Sequence, residues 1–390
     1  MTPLSDKSLA FGEKLAAATL GIDALYRKEL GSEDSMDGLV VINMGQTKPA
    51  AYENYEEARA ALHGLAAESF GLPEEDRRLY YLQACMSLDS FCVWRQGNLE
   101  ALTDQVGMFL HVDPAPASET ELDGWCKEAH AMLTSMGYAG DLKQQAEEWQ
   151  RRNQVPAENV QQYMDDLMKV AREKCGNILE LPVDYYHCEV ERGGPFSARS
   201  DFDHRRVVVN IDPIYTKQAL KHLVCHEAYP GHFVQFTLRK VLYERGIAAA
   251  DGLLSVVNHS SSSTFEGIAD MGMDFLGWIE DDDDRVFALL STIKSASGTT
   301  VSYQKHVLGW SDEQIRTWLT KYSLIGGEGA VNSRMRFISN PASSALIWSY
   351  WRGDQGVESV WKRVAKEDRS RYFDYIYSRL HTVQSMQLFH

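Results

Sequence analysis

Nowhere in this chain do apolar residues run to the roughly 20 in succession that a bilayer-crossing helix needs. The N-terminal segment MTPLSDKSLAFGEKLAAATLGI mixes charges into its apolar positions. It has no continuous apolar stretch of the kind a signal peptide carries, and reads as a first amphipathic helix. Cysteine is also scarce. Cys85, Cys92, Cys126, Cys175, Cys188 and Cys225 lie far apart, and none forms a Cys-x-x-Cys pair. A reduced, cytoplasmic protein is the expectation. Basic residues are in deficit, 39 Lys and Arg against 55 Asp and Glu, for a net charge of −16. No Lys/Arg cluster is present to neutralise phosphates, so neither nucleic acid nor an anionic membrane is an expected partner. Repeats and low-complexity tracts are absent too.

The 390 residues are 44% hydrophobic, which is ordinary for a globular protein and ample for a large core. Apolar residues recur at three- and four-residue spacing in AYENYEEARAALHGLAAESF, EEDRRLYYLQACMSLDSFCVWRQ, ETELDGWCKEAHAMLTSMGY and ENVQQYMDDLMKVAREK. Gly71-Leu72-Pro73, Pro114-Ala115-Pro116 and Pro156 punctuate between them. After Leu181-Pro182 the pattern changes. YYHCEVE and RRVVVNI are the clear strand signals, separated by a Gly-rich polar loop. Asp212-Pro213 ends the second, and a helix is expected from near Ile214. The rest is helical, with the acidic run Asp281 to Asp284 placed to favour the N-terminus of a helix over VFALLSTIKSA. The expected fold is mainly α, with a small β-element ahead of a site-bearing helix. The expected organisation is a helical region over 1–180 and a metal-site region over 181–390, joined in one compact unit.

That helix carries His226-Glu227-Ala228-Tyr229-Pro230-Gly231-His232. In the zinc signature H-E-x-x-H, two histidines four apart share a helix face and the glutamate takes a proton from the metal's water. Here the second histidine comes six residues after the first. A straight helix would put the two about 240° apart, unable to share one ion. Pro230 breaks the hydrogen-bond ladder and Gly231 permits unusual backbone angles, so a kink can bring His232 back to His226. A catalytic zinc takes three N or O ligands. Glu266, in STFEGIADMGMDF, is the best third candidate, with Asp270 one turn later as its neighbour or understudy. His222 and His226 are also four apart, and spacing does not separate that pair from His226 and His232. Cys225 is expected to be a small buried residue and not a ligand.

These residues resemble a known family. HEAYPGHFVQ is similar to the HEAYPGHHLQ signature of the bacterial domain-of-unknown-function 885 family, helical metallopeptidase-like proteins related to gluzincins. VVVNIDPIYTKQALKHLVCHEAYPGH, FEGIADMG, HVLGWSDEQIRTWL with His306, RFISNP with Arg336 and SYWRG with Tyr350 resemble further family segments in the same order. The resemblance covers roughly residues 200–365. It implies a metallopeptidase-like fold and the ligand set His226, His232 and Glu266, since the family pattern has no histidine at position 222. The chain departs from it at Met273, where the family has a second glutamate.

The function so implied is zinc-dependent hydrolysis of a peptide or amide bond in a short peptide or small metabolite. Glu227 is the general base. Tyr350, then His306, are the candidate donors to the developing oxyanion. Arg336 and Arg352 are the candidates to fork onto a substrate carboxylate. Two rival readings keep the same residues: a non-haem Fe(II) enzyme using the two-His-one-carboxylate set, and a non-catalytic binding protein with a decayed site. Oligomeric state is not legible.

Overall fold

The computed structural model describes residues 3–31, 37–180, 185–194, 197–202 and 204–390. The expected turning point at Leu181-Pro182, and Pro195 and Phe196 of the Gly-rich loop, lie outside the described residues. The protein is mainly helical, as the periodicity requires.

Helix α1 (Asp6–Leu30) starts on Ser5, whose hydroxyl accepts from the Ser8 N–H, and stops on Gly31 at φ 64°. Strand β1 (Val40–Asn43) follows, then α2 (Tyr55–Ser69), α3 (Glu75–Arg95) and the short α4 (Leu102–Gln105). Next come α5 (Glu119–Ser135) and α6 (Leu142–Asn153), each opened by a capping box, Ser118 with Glu121 and Asp141 with Gln144. After β2 (Gln154–Val155) and α7 (Val160–Gly176) the chain turns to strands: β3 (His187–Glu191), β4 (Ala198–Asp201), β5 (Arg206–Asn210) and β6 (Tyr215–Thr216). Thr216 then caps α8 (Lys217–Glu227). Helix α9 (His232–Glu244), β7 (Leu254–Val256) and α10 (Ser262–Asp270) lead to α11 (Gly272–Phe275), α12 (Asp282–His306), α13 (Asp312–Tyr322) and α14 (Gly327–Ser339). Helices α15 (Trp348–Trp361), α16 (Arg369–Ser378) and α17 (Val383–Met386) close the chain.

Two compact units result. One comprises Met1–Pro114, Val234–Ile268 and Trp348–His390; the other, Ala115–Phe233 and Ala269–Ile347. Helices α9 and α10 run through the division. In the first unit, Phe11 and Ile22 of α1 are fully buried, and the Phe11 ring lies 4.5 Å from that of Tyr81 on α3. Strands β1 and β7 pair antiparallel. Helices α10 and α15 touch backbone to backbone: a Cβ on Gly267 would stand 2.4 Å from the Gly353 carbonyl, and one on Gly353 would stand 2.1 Å from Ser263 O. No other residue type fits that crossing.

In the second unit, β3, β5 and β4 form a sheet in that order, β3 parallel and β4 antiparallel to β5. Val207, Val208 and Val209 of the central strand are all buried, so the run RRVVVNI reads as continuous hydrophobicity and not as alternation. Strand β4 falls in the polar stretch read as loop. Its residues, Ala-Arg-Ser-Asp, carry no strand signature, and pairing to β5 alone makes them a strand. Helix α8 begins at Lys217, three residues later than expected, because β2 pairs with Tyr215 and Thr216. Asp281 caps α12 through the Asp284 N–H, as the acidic run suggests.

Candidate metal centre

The sequence puts a break between two helices, and both helix ends become the site. Helix α8 stops at Glu227 and α9 begins at His232. Between them the Tyr229-Pro230 peptide is cis, and the Gly231 N–H donates to Cys225 O at 2.9 Å. Gly231 is used for close approach, since its φ is not positive: a Cβ there would stand 1.7 Å from His226 O. The turn brings the rings of His226 and His232 to 4.6 Å between centroids. The six-residue spacing therefore does not separate them.

Asp270 ends α10, and the His226 Nδ1–H donates to its carboxylate at 2.7 Å. That bond fixes the imidazole tautomer and leaves Nε2 as the nitrogen whose lone pair could serve a metal. Glu266 stands one turn earlier on the same helix. One ligand atom each from His226, His232 and Glu266 lie within 4.8 Å of one another, and all three side chains are half-buried. His222, His226 and Asp270 meet the same distance condition. Both histidine pairs left open by spacing are thus present, sharing His226. His222 Nε2 lies 3.2 Å from Asp270. Burial works to raise the Asp270 pKa, but the two imidazoles outweigh it and hold the carboxyl well below its ordinary range. Met273 is buried on α11 and offers no carboxylate, while Asp270 supplies one against His226. Cys225 is fully buried against Gly272, belongs to neither cluster, and has its thiol pKa pushed up by burial.

Glu227 is 9% exposed. The Ser200 hydroxyl, on β4, donates to its Oε2 at 2.9 Å. Sequence reasoning missed Ser200, and no motif marks it: it reaches Glu227 only because β4 pairs with β5. Tyr186 was missed too. Its ring is fully buried, stacked 3.9 Å from that of Phe233, and its N–H donates to the Tyr229 hydroxyl at 3.1 Å. Burial raises the Tyr186 hydroxyl pKa strongly, and Glu227 adds to the shift.

The remaining candidates are placed differently. His306, at the end of α12, donates Nε2–H to Ile338 O at 2.6 Å, tying α12 to α14. Tyr350 is half-buried on α15, one turn before the Gly353 crossing with α10. Arg352 is engaged by Asp113, through Oδ2 at 3.1 Å and the main-chain oxygen at 3.2 Å, and lies over the Trp351 ring. Arg336 is exposed on α14.

No family model and no curated protein matches this chain. Solved structures do share its fold. A protein from Colwellia psychrerythraea described as a putative lipoprotein superposes with a TM-score of 0.57 at 14% identity, over 85% of this chain and 68% of that one. A putative lipoprotein of unknown function from Shewanella oneidensis gives 0.52 at 13% identity, over 85% and 72%. At such identities the likeness is one of fold alone.

Proposed function

We propose that this protein is a metal-dependent hydrolase of peptide or amide bonds, with a divalent ion, zinc by preference, held by His226, His232 and Glu266. The observation that carries the reading is the convergence of these three ligand atoms within 4.8 Å beside a shielded glutamate. The donor set fits the ion: two imidazoles and one carboxylate leave a fourth position open, as catalytic zinc sites do. The ion supplies Lewis acidity and makes water a nucleophile at neutral pH. Glu227, held by Ser200, takes the proton of the attacking water and returns it to the leaving amine. The reading agrees with the resemblance to the domain-of-unknown-function 885 family and extends its metallopeptidase-like fold to this chain. Iron in the same residues is the second reading; a general base beside the ligands favours hydrolysis. A cytoplasmic setting suits the six unpaired thiols. Cell fractionation tests it against the lipid-anchored setting implied by the names of the two structural neighbours.

The test is metal analysis with a screen of di- and tripeptides on wild type and Glu227→Gln. The wild type is expected to hold one ion and turn over. Glu227→Gln keeps the ion and loses at least about a hundredfold in kcat, the scale of a general base. Turnover by fully loaded Glu227→Gln sinks the mechanism, and a wild type that takes up no metal sinks the reading.

A further inference from the structure

The second unit holds a cation that the proposed chemistry has not used. Helix α12 lies along α8: Lys221 Nζ meets Asp284 at 2.7 Å, and the rings of His222 and Phe287 are 5.6 Å apart. Lys294 follows Phe287 by seven residues, about two helical turns, so it shares that face of α12. Its ammonium makes no hydrogen bond or ion pair among the described residues. Its side chain is solvent-accessible, yet enough protein surrounds it that desolvation, aided by the Arg334 charge, pulls its pKa down to about 8. Asp270, the hydrogen-bond acceptor of His226, is close enough to oppose that shift.

Arg334 joins Lys294 from α14. Its Nη2–H donates to Lys294 O at 3.1 Å, and its guanidinium lies over Gly298, where a Cβ would stand 2.7 Å from Nη1. Gly298 is one turn beyond Lys294 and leaves the space the guanidinium occupies. Two cations thus share one turn of α12 beside the helix end that holds His226, in a chain of net charge −16.

We propose that Lys294, with Arg334 beside it, anchors a carboxylate of the substrate, so that the protein acts on short peptides or acylated amino acids near a free C-terminus. The proposal rests on the hydrolase reading for its chemistry, but its binding test does not. A planar guanidinium and a mobile ammonium recognise a carboxylate together and have no match in a terminal amide.

The test is calorimetric binding of N-acetylated glycine, alanine, leucine and phenylalanine, and of the matching N-acetyl dipeptides. Each is offered as the free acid and as the C-terminal amide, to the metal-loaded wild type, Lys294→Met, Lys294→Arg and Arg334→Met. The wild type is expected to bind at least one acid tenfold or more tightly than its amide. Lys294→Met loses that preference with metal content unchanged, Lys294→Arg restores part of it, and Arg334→Met weakens it. Equal affinity for acid and amide, no binding of either at millimolar concentration, or a preference that survives Lys294→Met overturns the anchor. Acid-selective binding without hydrolysis of any acid overturns the hydrolase reading and leaves the anchor standing.

Discussion

At the scale of single residues, Gly231 decides whether the site exists. Its α-hydrogen faces the His226 carbonyl, where a methyl carbon would stand 1.7 Å away. Gly231→Ala must therefore open the turn between α8 and α9 and part the two imidazoles. It is expected to lose stoichiometric metal and to destabilise the protein by about 3 kcal/mol or more, the scale of the larger strain effects. Metal content and the thermal midpoint check this, and a variant with a full complement of metal at wild-type stability would show that the close approach is not required. Glu227 is the contrasting case. Its identity is plain in the sequence, but its partner Ser200 is 27 residues away in a strand with no strand signature.

At the scale of elements, α10 joins two jobs. Its Glu266 brings a carboxylate oxygen within 4.8 Å of ligand atoms on the two histidines, and its Asp270, one turn on, accepts from His226 Nδ1. The glycine crossing with α15 sets where that helix lies. Asp270→Asn keeps the shape and removes the charge. Metal affinity is expected to fall about 10- to 100-fold, as it does when a ligating histidine loses its carboxylate partner. A chelator competition titration measures it, and an unchanged affinity would reduce Asp270 to a packing residue. The same experiment on His222→Ala separates the two clusters that share His226: with the ion on His226, His232 and Glu266, loss of His222 removes only a partner of Asp270.

At the scale of the whole molecule, stability depends on ionised groups inside the first unit. Arg77 is 1% exposed, with Asp76 Oδ2 at 3.1 Å and the Leu380 carbonyl at 2.7 Å. Burial works to raise the Asp76 pKa, and Arg77, His381 and Arg379 more than offset it, bringing it down to about 2. A carboxyl whose folded pKa lies below its unfolded value stabilises the fold fully above the unfolded value, 3.8, and loses that contribution as pH falls towards 2. The contribution at neutral pH is about 2 kcal/mol. Urea midpoints from pH 5 to 2 are expected to fall more steeply for the wild type than for Asp76→Asn, which starts lower. Parallel curves would remove Asp76 from the acid-sensitive set.

The sequence by itself determined the helical class, through three- and four-residue periodicity, and the caps at Ser118, Asp141 and Asp281, because these are local effects of a few consecutive residues. It also held the histidines and Glu266, whose residue types and order carry their chemistry. Only the tertiary structure decided the rest. The side of His226 that Asp270 occupies, the seating of Ser200 on Glu227, the engagement of Arg352 by Asp113 and the meeting of Arg334 with Lys294 all join residues far apart in the chain. Such pairings follow from which faces pack together, and periodicity specifies a face without naming its partner. Arg336 and Arg334 illustrate the limit: two residues apart on one helix, they differ by about 200° in direction, and only the packing of α14 on α12 brings Arg334 to Lys294.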